Sequence, residues 1–120
     1  MLKIEPFNKY YTKYDNWFKK NRYAYKSELL AIKKTLPNNK KTIEIGVGSG
    51  RFAIPLDIRI GIDPSREMQK FAKKKGILVL NAVAENLPFR KTSFSYVLIV
   101  TTICFVEDIN STITEAYKIL

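Results

Sequence analysis

The stretch Thr42-Ile43-Glu44-Ile45-Gly46-Val47-Gly48-Ser49-Gly50-Arg51-Phe52 decides the fold. Its first four residues are β-branched around a single glutamate, the make-up of a short strand. Glycines 46, 48 and 50 follow at once. They suit a chain that turns tightly at the carboxyl end of a strand and lets a ligand approach the backbone without meeting a Cβ. A short helix is predicted after the turn. Strand, turn and helix together are the context in which a glycine-rich motif marks a nucleotide-type site.

Outward from this stretch the pattern alternates. Ile58 to Ile62 is a second apolar run that ends at Asp63, and Asp63-Pro64-Ser65 opens a helix with the proline in its first turn. Met68, Phe71 and Ala72 mark the inner side of that helix, Lys73 to Lys75 its last turn and Gly76 its stop. Ile77 to Leu80 reads as a third strand. Tyr96 to Thr101 reads as a fourth, apolar nearly throughout as in a strand covered on both faces. From about Asp108 a last helix aligns Ile109, Ile113, Ala116, Tyr117 and Leu120 on one stripe. Strands alternating with helices predict an α/β fold, a Rossmann-like doubly wound parallel sheet in strand order 3-2-1-4.

Before the sheet, Lys9 to Lys20 predicts a helix with Tyr10, Tyr14, Trp17 and Phe18 on one side. A second helix carries Tyr25, Leu29, Ile32 and Leu36 and stops before Pro37-Asn38-Asn39. The chain therefore divides into an N-terminal helical lid or cap, residues 1–38, and a Rossmann-like domain, residues 39–120. With 120 residues there is room for one core.

Composition narrows the class. At 46% hydrophobic and 27% charged the chain is ordinary for a globular protein. Its longest apolar run, Tyr96 to Val106, is short of the ~20 residues that span a bilayer, and the N-terminus lacks the apolar core of a secretory signal. One cysteine, Cys104, and no histidine leave neither an internal disulfide nor a Cys/His zinc set, so a reducing cytoplasm is expected, with no metal and no membrane. Cys104 reads as a small buried apolar residue. The net charge of +10 is concentrated at the start, where residues 1–42 hold 11 basic and 3 acidic side chains. Basic residues among aromatics can bind nucleic acid. Lysine outnumbers arginine 16 to 5, however, which suits solvated helix faces better than a phosphate grip.

Spacing selects the ligand. Asp63 ends the second strand near the ~20 positions from the glycines expected of a carboxylate that binds ribose hydroxyls, so the site suits an adenosine-containing molecule. The dinucleotide fingerprint GxGxxG fails, because its third glycine falls on Arg51. The pattern from Glu44 to Gly50, E-x-G-x-G-x-G, instead resembles the first motif of class I S-adenosylmethionine-dependent methyltransferases. The resemblance continues through Gly61-Ile62-Asp63-Pro64-Ser65, Ala84-Glu85-Asn86-Leu87-Pro88-Phe89, Ser93-Phe94 and Glu115-Ala116-Tyr117-Lys118-Ile119-Leu120, in the order and spacing of the type 11 methyltransferase domain of ubiquinone and menaquinone biosynthesis enzymes.

That resemblance implies a methyltransferase that uses S-adenosyl-L-methionine and acts on a small molecule. Gly46, Gly48 and Gly50 would form the turn against the methionyl and ribose part, with Glu44 holding the turn and the cofactor's ammonium. Asp63 would accept the ribose hydroxyls, Pro64 and Met68 would pack near the adenine, and the backbone at Val83 and Ala84 would read its edge. Thr101 would lie beside the methyl group, with Tyr10, Tyr14 and Thr102 toward the substrate. No catalytic residue is singled out, since methyl transfer from a sulfonium is an in-line displacement that needs little acid-base machinery. Relatives continue past the position of Leu120 with further strands; without them strand four is an exposed edge open to self-association. A non-catalytic remnant that binds cofactor or a partner, and an RNA-associated methyltransferase with a basic N-terminal surface, are the alternative readings.

Overall fold

The computed structural model describes residues 4–38 and 41–120. The boundary expected between residues 38 and 39 therefore falls beside residues outside the described ones. Three helices, α1 (Glu5–Lys9), α2 (Tyr11–Lys20) and α3 (Arg22–Thr35), precede β1 (Thr42–Ile45) and β2 (Ile60–Ile62). Then come α4 (Arg66–Lys74), β3 (Leu78–Leu80), β4 (Tyr96–Ile99), a single 3-10 turn (Ile103–Phe105) and α5 (Ile109–Ile119). The strands form one parallel sheet in the order β3-β2-β1-β4, as the alternation predicts.

Alternation along β1 builds two cores. Ile43 and Ile45 pack with Ile62, Phe94, Ala116 and Ile119 on one face, against α5. On the other, Val79 and Leu98 join Val47, Ala53, Ile58, Ala72 and Ile77, against α4, with Ile32 of α3 at the margin. Glu44 stands between Ile43 and Ile45, opposite Gly61 and Leu98, and so points into the second face. The lysines of α2 and α3, Lys13, Lys19, Lys20, Lys26, Lys33 and Lys34, are all exposed. No helix among the described residues is long and apolar enough to cross a membrane.

Several local expectations are corrected, each for a physical reason. The helix expected from Lys9 to Lys20 breaks at Tyr10 into α1 and α2. The helix expected after the glycine turn is only a series of turns over residues 51–57. Pro55 explains this, since it has no N–H to bond the carbonyl of Arg51 four residues back. That carbonyl accepts a hydrogen bond from the Tyr25 hydroxyl of α3 instead. Pro64 does not begin α4, because Ser65 is the cap and its hydroxyl accepts from Met68 N at 3.3 Å. Strand four stops at Ile99, two residues before Thr101 turns to φ 53°, and its side chains are mostly half-buried rather than covered.

Of the stripe expected to bury α5, Ala116 is buried and the other four residues turn outward. Ile109, Ile113, Tyr117 and Leu120 are 51, 50, 80 and 47% exposed, while Thr112, Ala116 and Ile119 are buried. Small Ala116 and Thr112 let the helix lie close to the sheet, and Glu115 then reaches the backbone N–H of Leu87 at 2.7 Å. Cys104, expected inside, is exposed on the 3-10 turn.

The Tyr25–Arg51 contact is testable. Tyr25→Phe should lower the free energy of urea unfolding by about 1 kcal/mol, the net worth of one such bond. In a Pro55→Ala background, where residue 55 regains an N–H, the same substitution should cost measurably less. Equal costs in the two backgrounds would sink the idea.

Candidate functional site

Three loops meet at the carboxyl ends of the strands: the glycine turn after β1, the Asp63-Pro64-Ser65 turn after β2 and the Val100 to Val106 segment after β4. One side chain fixes the first two together. Asp63 accepts the N–H of Gly48 at 2.8 Å through one carboxylate oxygen and the N–H of Ser65 at 2.8 Å through the other. It is buried, and desolvation pushes its carboxyl above the usual range against those two bonds. Each oxygen keeps a lone pair for a hydroxyl donor.

The glycines divide by role. Gly46 has φ +75°, and a Cβ there would collide with the Thr102 side chain, which bonds back to the Val100 carbonyl at 3.1 Å. Gly48 has φ +56°, yet the nearest atom to a Cβ would be Tyr14 Cε1 at 4.0 Å, so the space beside it is open. Gly50 faces away, toward Ile77, whose Cδ1 would stand 2.6 Å from a Cβ. Of the three, Gly46 and Gly48 line a cleft and Gly50 packs behind it.

That cleft is narrow, with a volume of about 70 Å³. Asp63, Pro64, Met68, Ala84, Thr101 and Thr102 line it together with the two glycines, so most of the residues singled out from sequence meet here. Val83 stands just outside, its carbonyl taken by Asn86 N at 3.2 Å. Glu44 lies out of the wall, and Tyr10 lines a neighbouring groove. The cleft also takes Ile4, Phe7, Phe105 and Val106, which carry no local sequence signal and arrive only because α1 and the 3-10 turn fold across the opening. Thr101, a β-branched residue at φ 53°, holds a conformation that costs of order 1–3 kcal/mol, a form of strain that gathers at functional sites.

The N-terminal helices supply the remaining wall. Tyr14 of α2 faces both the cleft and the groove, and burial, then the Glu44 and Asp63 carboxylates, push its phenol up to about 12. The groove beyond is lined by Pro6, Phe7, Tyr10, Trp17, Phe52 and Phe105, with Lys13 and Glu28 as its charged residues. Phe7, Tyr14, Thr101 and Phe105 are common to cleft and groove, so the two adjoin through these side chains.

Beneath the turn, Glu44 is 1% exposed, and its Oε2 has no hydrogen-bond partner among the described residues. Burial and then the Asp63 charge push its carboxyl well above the ordinary range, against one hydrogen bond from the Ala53 backbone. The folded chain therefore favours the protonated form. Its contribution to stability is full below the unfolded-state value of ~4.3 and is lost as pH rises through the raised folded-state value. Glu44→Gln should thus raise the melting temperature at pH 8 and leave it little changed at pH 4, measured by scanning calorimetry. A variant less stable than wild type at pH 8 would contradict the assignment.

This geometry can be set beside known proteins. Residues 43–120 match the family model described as a methyltransferase domain. Protein MJ1123 of Methanocaldococcus jannaschii is 46% identical over 117 residues, 98% of this chain and 57% of that protein. A ubiquinone/menaquinone biosynthesis C-methyltransferase of Rickettsia felis is 38% identical over 104 residues, 71% of this chain and 42% of that enzyme. Among solved structures, a Thermotoga maritima S-adenosylmethionine-dependent methyltransferase, described as a possible histamine N-methyltransferase, superposes with a TM-score of 0.95 at 49% identity. The superposition covers 98% of this chain and 56% of that one, so the chain spans about half the length of the relatives it matches. Sheet order, glycine turn, acidic strand end and family match agree: the chain belongs to the methyltransferase-domain family and has the Rossmann-like fold of its S-adenosylmethionine-dependent members.

Proposed function

We propose that this chain is the cofactor-binding part of an S-adenosylmethionine-dependent methyltransferase that acts on a small molecule held in the aromatic groove. The observation that carries the reading is the common wall of cleft and groove, Phe7, Tyr14, Thr101 and Phe105. A methyl group has to pass from one bound molecule to another along a line, which needs two adjoining sites.

The residues present fit the cofactor. Asp63 offers a buried carboxylate already oriented by two backbone N–H groups, the arrangement that accepts a ribose diol. Gly48 leaves the space a backbone-hugging ligand would fill. Glu44 brings an unpartnered oxygen beneath the turn, suited to a cationic methionyl end. Pro64, buried Met68 and Ala84 give an apolar seat for a purine, and Gly46 and Thr101 border the space between them. When bound, the cofactor supplies a methyl group activated on a sulfonium.

The chain's own part is positional and electrostatic. Phe7, Tyr14 and Phe105 put aromatic surface at the junction, where it favours positive charge and excludes water. Tyr14, protonated at neutral pH, serves as a hydrogen-bond donor rather than a base.

S-adenosylhomocysteine should raise the melting temperature of the purified protein, as any ligand that prefers the folded state does, while NADH should not. Asp63→Ala should abolish the shift. Absence of a shift in the wild-type protein would refute the cofactor assignment.

A further inference from the structure

The lid is thinly buried. Helix α1 buries no residue, α2 buries only Phe18 and α3 none. Elements with so little buried surface open at low cost, so what holds them down is specific. Phe18 sits among Tyr14, Trp17, Tyr25 and Phe52, which anchors the end of α2 that leads into α3. The end over the cleft is held chiefly by polar ties and by two ring contacts, Phe7 edge-on to Phe105 and Tyr11 tilted against Phe71.

The polar ties converge on cofactor-turn residues. Asp15 of α2 accepts Ser49 Oγ at 2.7 Å and Arg51 Nε at 2.8 Å on one oxygen, and Arg51 Nη2 at 2.9 Å on the other. Its backbone carbonyl takes Arg51 Nη2 as well, at 3.3 Å. Ser49 and Arg51 flank Gly50, so this two-pronged pair joins the lid to the glycine turn itself. The second tie, Ser65 Oγ to Asn8 Oδ1 at 2.8 Å, joins α1 to the residue whose N–H orients Asp63. The Arg51 guanidinium also lies 5.6 Å from the Phe18 ring centre, which couples the latch to the hinge-side cluster. Burial works against the Asp15 charge, but hydrogen bonds from Arg51 and then Ser49 hold its carboxyl below the usual range.

We propose that Asp15 is a positioning residue, the latch that closes the N-terminal helices over the cofactor cleft by gripping Ser49 and Arg51 of the glycine turn. Ile4, Phe7 and Tyr14 roof the cleft when the latch is made. Pro6 and Phe7 of α1, Lys13, Tyr14 and Trp17 of α2, and Tyr10 between them wall the groove, so releasing the latch both frees the cofactor and dismantles the acceptor site. The proposal rests on the cofactor reading above and adds the residue that controls retention.

Trp17, the single tryptophan, lies on the lid and reports its state by fluorescence. Asp15→Asn should speed S-adenosylhomocysteine release by about tenfold or more in stopped flow, with a smaller change in association, the usual split for a lost closing contact. Hydrogen exchange across residues 5–20 should quicken in the ligand-free variant while β1 and β2 stay protected. Release at the wild-type rate from a variant with a protected sheet would overturn the proposal and leave Asp15 a stabilising residue only. If the variant does not fold, the wild-type protein still decides, because the ligand must slow exchange in residues 5–20 more than in α5. Equal slowing would overturn the latch, whereas no binding by the wild-type protein, with exchange in α1 and α2 responding to Asp15→Asn, would overturn the cofactor reading alone.

Discussion

The site depends on one buried carboxylate. Asp63 takes a backbone N–H from the turn after β1 and another from the turn that starts α4, and so fixes the spacing of two loops whose sequence partners lie far apart. Without it the buried Ser65 N–H would lose its acceptor, at a cost of about 1–3 kcal/mol, and the half-buried Gly48 N–H would lose its partner too. The bonds that build the site also orient the group best suited to grip a ribose. On the proposed reading the same atoms would serve structure and binding, with burial raising the Asp63 carboxyl against the two bonds that orient it.

A second carboxylate nearby makes the turn costly in the ligand-free state. The Asp63 charge opposes ionisation of the buried Glu44, whose Oε2 has no partner among the described residues. Stability given up in the empty site and recovered on binding is a familiar bargain at functional sites, and the left-handed Thr101 on the opposite wall adds to it. Among the described residues, α1 and α2 bury only Phe18 and are tied to the site through Asn8 and Asp15, which fits the cover proposed above.

Much of the site was legible because its signals are local. Gly46, Gly48, Asp63, Pro64, Met68 and Ala84 fall in short motifs that follow strands, and a parallel sheet brings the carboxyl ends of its strands to one edge. Phe7, Phe105 and Asp15 could not be found this way. Each is an ordinary residue on a helix or turn until the chain folds back and sets it against a loop far along the sequence. The misread face of α5 has the same origin, since periodicity reports that a stripe is apolar but not which neighbours leave room for it.

By itself the sequence determined the order of strands and helices, the glycine turn at the end of β1 and the acidic end of β2, because backbone conformation and strand burial are set by residues within a few positions. Tertiary structure decided the rest. Pro55 reduced an expected helix to turns, and Tyr25 from another element met the carbonyl it left unbonded. Gly50 became packing space for Ile77 while Gly48 stayed open to the cleft. Asp15 found Arg51 across 36 positions. These outcomes turn on which surfaces meet in three dimensions, and a linear pattern does not encode that.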